Sequence, residues 1–512
     1  MRVLLMHPDR DFDGTPTLPR QSDTLAQDLE LSTLWEAMAG GDEFLRDVAR
    51  KATLLAMGND AATVQHRQQV LRDAIAQPAA LRALYALTLE AIEGRKKLWF
   101  SVFLNYPSGI LRGSVDVMAF YADMLRKLRA FAEHHEGAFA SPGLTTLLAT
   151  LRAEFDDAYL DGVRQHLKRL KFDGGVRISA RLGEGNEGIG YVLRRPPKKS
   201  ARWQRWLHRG PAQFGFRLHE RDEAGARFLG ELQDRGVNLV ANALAQSCEH
   251  VQGFFQWLRT ELAFYVACLN LREQLMAAQA PCALPEMTEL GTLRFSCSDL
   301  RDACLVLKMG AAVVGNAVQA DQRGLIVVTG ANQGGKSSFL RACGLAQLMM
   351  QAGMFVCAQA FTAERCNGLF THYKREEDAS LTSGKLDEEL ARLSDIADWI
   401  HPGGLLLSNE SFASTNEREG SELARQAVEA LRERGIKVLA VTHLFDFAQR
   451  LATRQRPDTL FLRAERRDDG LRTFKLVPGE PLSTSFGQDL YQQVFGAVGA
   501  SASPSVLQGS SS

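Results

Sequence analysis

At 512 residues, with 45% apolar and 23% charged residues, the chain has length for about three domains at ~100–200 residues each, and too much apolar content for a disordered polymer. Its 60 Lys and Arg balance 60 Asp and Glu, so overall charge singles out neither nucleic acid nor an acidic surface as a partner, and only local clustering can. The 8 cysteines form no CxxC pair and have no His at zinc-ligand spacing, which argues against a zinc ribbon and for buried thiols in a reducing compartment.

The opening MRVLLMHPDRDFDG has too short an apolar stretch for a signal peptide, and acids follow at once. No run approaches the ~18 apolar residues of a membrane span, so a cytoplasmic chain without membrane contact is expected. Asp9, Asp11 and Asp13 alternate in a way that reads as a solvated turn rather than a metal loop. The first 170 residues read as helical. Leu34, Met38, Phe44, Val48, Ala52 and Leu55 recur at near-helical spacing and predict one apolar helix face. DVMAFYADMLRKLRAFAEHH repeats that rhythm, and proline is sparse, as long helices require.

Texture changes near residue 173. GGVRISARLGEGNEGIGYVL alternates Val176, Ile178, Ala180 and Leu182 between glycine clusters, which predicts strands and a hairpin. Between Glu187 and Glu220 there is no acid, while Arg194, Arg195, Lys198, Lys199, Arg202, Arg205, Arg209 and Arg217 fall there with Trp203, Trp206 and Phe214 among them. A small β-rich insertion at about 173–220 with a basic, aromatic surface is expected. Its bland reading is a solvated loop; its functional reading is a surface for nucleic-acid phosphates. Helix resumes with the stripe Phe254, Leu258, Leu262, Tyr265, Val266 and Leu269, and AAQAPCALPE, with Pro281 and Pro285, reads as a boundary. Beyond it strands and helices alternate as in an α/β domain, up to a Ser-rich, disordered tail. The expected division is a helical domain at 1–285 carrying the insertion, an α/β domain at 286–500 and a tail at 501–512.

GLIVVTGANQGGKSSFLRACGLAQLM is the most informative stretch. A buried strand, Leu325 to Val328, leads into G-x-x-x-x-G-K-S and then a helix. Gly330, Ala331, Asn332, Gln333, Gly334, Gly335, Lys336, Ser337 and Ser338 would cradle phosphates with backbone amides at a helix start. Lys336 would reach the β- and γ-phosphates and Ser337 would ligate Mg²⁺. A second strand, GGLLLSNE, ends in Asn409 and Glu410, the latter placed to orient or deprotonate a water. A third, GIKVLAVTHLFDFAQRL, ends in Thr442 and His443, where ligands bind in parallel sheets. ATP and Mg²⁺ are the expected cofactors, with Lys336, Glu410 and His443 as catalytic residues and Ser337 and Asn409 on the metal side.

Together these pieces resemble the MutS family of DNA-repair ATPases. TGANQGGKSSFLR is similar to that family's TGPNMGGKST loop, LLLSNESFASTNEREG to its strand-DE-GxGTS-x-x-DG stretch, AVTHLFDFAQRL to its ATHYxEL, and FKLVPGEPLSTSFGQDL to its Y-K-L-x-P-G…S-Y-G segment. The resemblance implies a multidomain architecture: an α-helical core and lever domain with a clamp-like β insertion, then an ABC-type, MutS-like α/β P-loop NTPase domain. VVGNAV resembles the adenine-side segment, which implies base contacts from Val314 and Asn316.

Departures from the family pattern shape the functional expectation. The metal-side Asp is replaced by Asn409, and the Gly-Arg-Gly after the acidic pair by Phe412-Ala413-Ser414. The serine-rich loop that reaches a partner's nucleotide is reduced to Thr382 and Ser383 in LTSGKLDEELARL. In the family the Asp holds Mg²⁺ through water. Asn keeps the oxygen and loses the charge, a change that costs ~10–100-fold, so a slow ATPase is expected rather than a dead one. The sequence contains no mismatch-reading domain with a Phe-x-Glu wedge and no endonuclease-like domain, so recognition of DNA shape rather than of a mispair is expected, in mismatch repair or recombination. The resemblance also implies a homodimer through the ATPase domains, with ATP binding and hydrolysis coupled to the clamping of DNA by the arms. The alternative is an ATP-gated dimer that grips another protein, with no DNA role. A phosphotransferase would need an acceptor site and a lid, and no motif for either accompanies the loop.

Overall fold

The computed structural model describes residues 1–99, 106–195, 214–331, 333–375, 384–467 and 472–482. The chain is multidomain, largely helical, with mixed sheets. It falls into two compact units, Met1–Leu4 with Gln77–Leu262, and Leu5–Ala76 with Ala263–Ser512. This division differs from the expected boundary at residue 285, and the reason is chemical and lies in the polar contacts of the amino-terminal segment.

That segment comprises α1 (Ser22–Asp28), α2 (Leu31–Ala39), α3 (Glu43–Leu54) and α4 (Ala61–Ala76). The stripe expected on one helix is divided between two. α2 ends at Gly40, and the Asp42 carboxylate starts α3 by accepting from the N–H groups of Phe44 (2.8 Å) and Leu45 (3.3 Å). Asp13 accepts from the Thr15 N–H and hydroxyl at 2.8 and 2.7 Å, which is the expected solvated turn.

The first unit follows with α5 (Pro78–Trp99), α6 (Pro107–His134), α7 (Pro142–Glu154) and α8 (Asp157–Leu170). Proline opens the first three, at the position where its missing N–H removes no helix bond. Ser141 and Asp156 cap α7 and α8 through the N–H groups of Leu144 and Tyr159. α6 packs on α5, α7 and α8 and buries Val117, Met118, Tyr121, Leu125 and Leu128. Strands β1 (Ile178–Leu182) and β2 (Gly188–Leu193) make the expected antiparallel hairpin, with Leu182, Ile189 and Val192 exposed. Helix α9 (Glu223–Ala277) carries the predicted buried stripe from Phe254 to Leu269; its residues to Leu262 belong to the first unit and those from Ala263 to the second.

The rest of the second unit comprises β3 (Glu286–Thr288), β4 (Phe295–Leu300), α10 (Ala303–Met309), β5 (Asn316–Gln319), β6 (Leu325–Thr329), α11 (Lys336–Gln351), β7 (Ala360–Glu364), β8 (Leu369–Tyr373), α12 (Lys385–Trp399), β9 (Leu405–Asn409), α13 (Glu417–Glu433), β10 (Lys437–Val441), α14 (Phe445–Thr453), β11 (Thr459–Arg466) and β12 (Arg472–Pro478). Six strands form a sheet in the order β12-β11-β6-β10-β9-β8, parallel except for the antiparallel edge strand β12. A mixed four-stranded sheet has the order β3-β7-β4-β5. β6 and β10 are buried along their whole length, which is why their sequences read as unbroken apolar runs. Leu325, Val327, Leu406, Val438 and Ala440 share a core with Ile396 of α12, Val428 and Leu431 of α13, and Phe447 and Leu451 of α14. α11 packs against β9 and β10.

Polar side chains of the amino-terminal segment complete the end of α11, whose last carbonyls lack helical partners. Asn59 donates to the Gln351 carbonyl at 2.9 Å. The buried Arg67 donates to the carbonyls of Met6 (2.7 Å) and Ala352 (3.3 Å). Gln68 donates to the Pro285 carbonyl at 2.9 Å. Seven of the eight thiols are buried, Cys282 being partly exposed, and none is in a disulfide. Among the described residues no helix is long and apolar enough to cross a membrane.

Candidate functional site

Register places the candidate residues. Val328 of β6 lies opposite Val441 of β10, Val441 opposite Asn409 of β9, and Asn409 opposite Tyr373 of β8. The carboxyl ends of four neighbouring parallel strands therefore share one edge, where α/β sheets bind ligands. The Thr442 N–H donates to the Val328 carbonyl (3.1 Å), and the Glu410 N–H to the Val441 carbonyl (2.8 Å), which extends the alignment one residue past the strands.

From β6 the chain turns through Gly330 and Gly335, at φ of 110° and 85°, into α11, which begins at Lys336. Those angles are open to glycine and costly for other residues, so the glycine spacing follows from the turn itself. Asn332 lies outside the described residues. Lys336 is buried, and its ammonium donates to the carbonyls of Gly330 (2.9 Å) and Ala331 (3.0 Å). Burial lowers its pKa, and Glu410 works against that shift. The Ser337 hydroxyl donates to Asn409 Oδ1 at 2.9 Å, so two residues 72 positions apart meet at the loop.

Glu410 takes a left-handed φ of 55°, which turns its side chain off the end of β9. Its Oε2 lies 3.8 Å from His443 Nδ1. The His443 imidazole, followed by Lys336 and Lys374, holds the Glu410 carboxyl below the usual carboxylate range despite partial burial. His443 is aimed by a local turn in which Thr442 Oγ1 accepts from the Leu444 N–H at 3.0 Å.

Gly330, Gln333, Gly334, Gly335, Lys336, Ser337, Ser338, Glu410 and His443 line one cavity of about 820 Å³, and Met309, Val313, Val314 and Phe474 line it too. That volume is in the range of small-molecule sites, and its wall joins a polar, cationic part to an apolar one. Asn316 also lines the cavity, but both ends of its amide are engaged: Nδ2 donates to the Phe474 carbonyl (3.2 Å) and Oδ1 accepts from the Leu476 N–H (2.8 Å). It fixes the β12 backbone that carries Phe474. Phe474, Met309 and Lys374 are cavity residues that the sequence reading missed. Phe474 opens the quoted FKLVPGEP run, whose family resemblance gave it no role; Met309 and Lys374 carry no motif signal. Among the described residues no group of three His, Cys, Asp or Glu is placed to hold a metal by itself.

Other candidates lie elsewhere. Arg194 and Arg195 follow β2 in the first unit, and Arg194 Nε donates to Ser179 Oγ at 2.8 Å. Phe214 and Phe216 are exposed. Lys198, Lys199, Arg202, Arg205, Arg209, Trp203 and Trp206 lie outside the described residues, as do Thr382 and Ser383.

Two family profiles match the chain: the MutS2 N-terminal domain over residues 59–278 and MutS domain V over residues 326–496. The chain belongs to the MutS family. The first match takes in α4 to α9 with the hairpin, and the second begins in β6 and contains the phosphate loop, Asn409, Glu410 and His443. Among MutS relatives, the chain is 30% identical over 132 residues to Endonuclease MutS2 of Thermus thermophilus, covering 26% of the chain and 18% of that protein. It is 28% identical over 284 residues to Endonuclease MutS2 of Geobacillus thermodenitrificans, covering 52% and 36%. It is 28% identical over 166 residues to the DNA mismatch repair protein MutS of Thermus thermophilus, covering 32% and 20%. The matched stretches thus span well under half the length of these MutS proteins.

Proposed function

We propose that the cavity binds ATP with Mg²⁺, and that the protein is a slow, dimeric, MutS-like ATPase that couples nucleotide binding and hydrolysis to the clamping of DNA in a repair or recombination role. One observation carries the reading: Lys336, Ser337, Glu410 and His443 line a single cavity at the carboxyl ends of parallel strands, with Asn409 bonded to the Ser337 hydroxyl, although three separate segments supply them. The fold is read accordingly as an ABC-type P-loop NTPase domain.

The donor set suits a hard cation shared with phosphates, since Ser337 and Asn409 offer oxygens and no His, Cys, Asp and Glu cluster competes among the described residues. Bound Mg²⁺ supplies charge neutralisation at the β- and γ-phosphates. Ser337 would hold it, with Asn409, which accepts from the Ser337 hydroxyl at 2.9 Å, orienting that hydroxyl. Lys336 exchanges its two loop carbonyls for phosphate oxygens, which restores a charged partner to a buried ammonium. Glu410, kept ionised by its neighbours, orients a water or takes its proton. His443 steadies Glu410 and faces the same end of the cavity. The apolar wall at Met309, Val313, Val314 and Phe474 takes the base.

On the DNA side, the run of eight cations from Arg194 to Arg217 neutralises phosphates, and Phe214 offers a stacking face. α9, which has residues in both units, is the continuous element available to transmit a change at the nucleotide. Thr382 and Ser383 are the candidates to reach a partner's nucleotide.

The test pairs hydrolysis with DNA binding. ATP turnover by the full chain should fall by about 10²–10⁴-fold in Glu410→Gln, while nucleotide affinity persists; turnover equal in the two proteins across millimolar Mg²⁺ would refute the ATPase reading. Binding to duplex, mismatched, single-stranded and four-way DNA should weaken steeply from about 50 to 200 mM salt. Neutralising Arg194, Arg195, Lys198 and Lys199 should flatten that dependence. Stimulation of turnover by a protein partner and by no DNA would favour the interaction-machine alternative.

A further inference from the structure

Charge around the phosphate end of the cavity is unusual for a site that relies on a divalent ion. Residue 409, whose oxygen accepts from Ser337, is a neutral amide. One strand over, Lys374 directly follows β8. Its N–H donates to the Asn409 carbonyl at 3.0 Å, which fixes its backbone beside residues 409 and 410. Its side chain is exposed, lines the same cavity as Lys336 and Ser337, and acts electrostatically on the Glu410 carboxyl. Among the described residues its ammonium has no hydrogen-bond partner, so it is free to take one. Arg472, whose charge is felt at Lys336, donates to Gln333 Oε1 at 3.0 Å. Of the carboxylates lining the cavity, Glu417 is tied to the Phe445 N–H (3.1 Å) and Asp302 to Arg341. Lys336 and Lys374 thus both act on Glu410, with Arg472 behind Lys336, where ion-binding sites usually gather carboxylates.

We propose that Lys374 is a second phosphate-binding cation, which takes over part of the charge neutralisation that a divalent ion provides, so that the site holds a nucleoside triphosphate without one. The inference rests on the nucleotide reading of the cavity and deepens it. Two features act together. Asn409 removes the negative charge that would repel a bare triphosphate, and Lys374 adds a positive one within reach of the terminal phosphate. Lys336 alone does not suffice, because it is shared between the β- and γ-phosphates.

The experiment is equilibrium binding of the imido analogue of ATP to the full chain, once in excess EDTA and once in millimolar Mg²⁺. Wild type should bind in both, with metal-free affinity within about tenfold of the other. Lys374→Gln should lose about tenfold in EDTA, as expected for a charged hydrogen bond to phosphate, and less than about threefold with Mg²⁺ present. Lys374→Arg should keep the metal-free binding. The position is exposed, so these variants should keep the wild-type thermal midpoint. Binding with Mg²⁺ but none in EDTA, or equal losses for Lys374→Gln in both conditions, would overturn the inference while leaving the nucleotide reading intact. No binding by wild type in either condition would remove both.

Discussion

Asn409→Asp is the most direct probe of the metal side. Asn409 Oδ1 is one hydrogen bond, 2.9 Å, from the Ser337 hydroxyl, so residue 409 bears on an ion held by Ser337 from outside its coordination shell. Two magnitudes compete. Coulomb's law for unit charges ~4 Å apart gives about 4 kcal/mol at an effective dielectric near 20. Outer-sphere replacements typically change metal affinity or activity by ~10–100-fold, or about 1.4–2.8 kcal/mol at 1.4 kcal/mol per decade. The smaller figure governs, because the cavity is open to solvent and Lys374 offsets part of any added charge. Asn409→Asp should therefore lower the Mg²⁺ concentration for half-maximal ATP turnover by about 10–100-fold. The carboxylate can still accept the Ser337 bond, so the fold should be unchanged. The assay is phosphate release against Mg²⁺ from micromolar to millimolar, at saturating ATP. An unchanged midpoint would refute the placement of residue 409 beside the ion.

Three further outcomes follow from the packing. Phe474→Ala should weaken binding of ATP by about 1–3 kcal/mol, as loss of a stacking face does, and leave affinity for inorganic triphosphate nearly unchanged; equal effects on both would remove Phe474 from the base side. Phe447→Ala, in the core beneath β10, should cost about 3–5 kcal/mol in urea unfolding of the full chain, read as a shift of the midpoint. Burial pushes the His372 pKa down to about 4 and the His7 pKa down to about 3, from an ordinary 6.5. Folding therefore favours the neutral rings, so their contribution is complete above pH 6.5 and is lost as pH falls toward 4 and 3. The unfolding midpoint should drop between pH 7 and pH 5, and His372→Gln should flatten that drop. A midpoint independent of pH in this range would contradict the burial of both rings as neutral bases.

Legibility of the sequence tracked the source of each constraint. The strand, loop and helix from Leu325 to Gln351 could be read because local rules impose them: a buried strand is all apolar, a phosphate-type turn needs glycine, and a helix start offers amides. The hairpin at 178–193 and the α9 stripe were legible for the same reason. What spacing alone missed depends on contacts between distant segments. A helical period runs across Gly40 as if α2 and α3 were one helix, since three- and four-residue steps do not register a short break. Nothing local says that Asn59, Arg67 and Gln68 satisfy carbonyls about 220–290 positions later, which is what ties residues 5–76 to the second unit. The Asn316 amide looks free in sequence and is committed to β12 in the fold.

The turn after β9 carries this furthest. Glu410 and Phe412 both hold left-handed φ angles, 55° and 60°, where a non-glycine residue costs about 1–2 kcal/mol. A glycine-bearing turn would avoid that cost at 412, and SFAS has no glycine. Packing supplies what the turn lacks. His372, buried and neutral, has one ring proton. Its Nε2 faces the Glu389 carbonyl at 3.0 Å and must donate, so Nδ1 must accept from the Ser411 hydroxyl at 2.6 Å. Ser408 then donates to Ser411 at 2.7 Å, and the Phe412 ring packs against His372 at 5.8 Å. A histidine 38 positions upstream of Glu410 thus pins the residue after it and couples the turn to α12, whose Glu389 carbonyl closes the chain of bonds. The altered residues 412–414 therefore do not argue for a relaxed site: rigidity that glycine geometry would provide locally comes here from a buried histidine on the neighbouring strand.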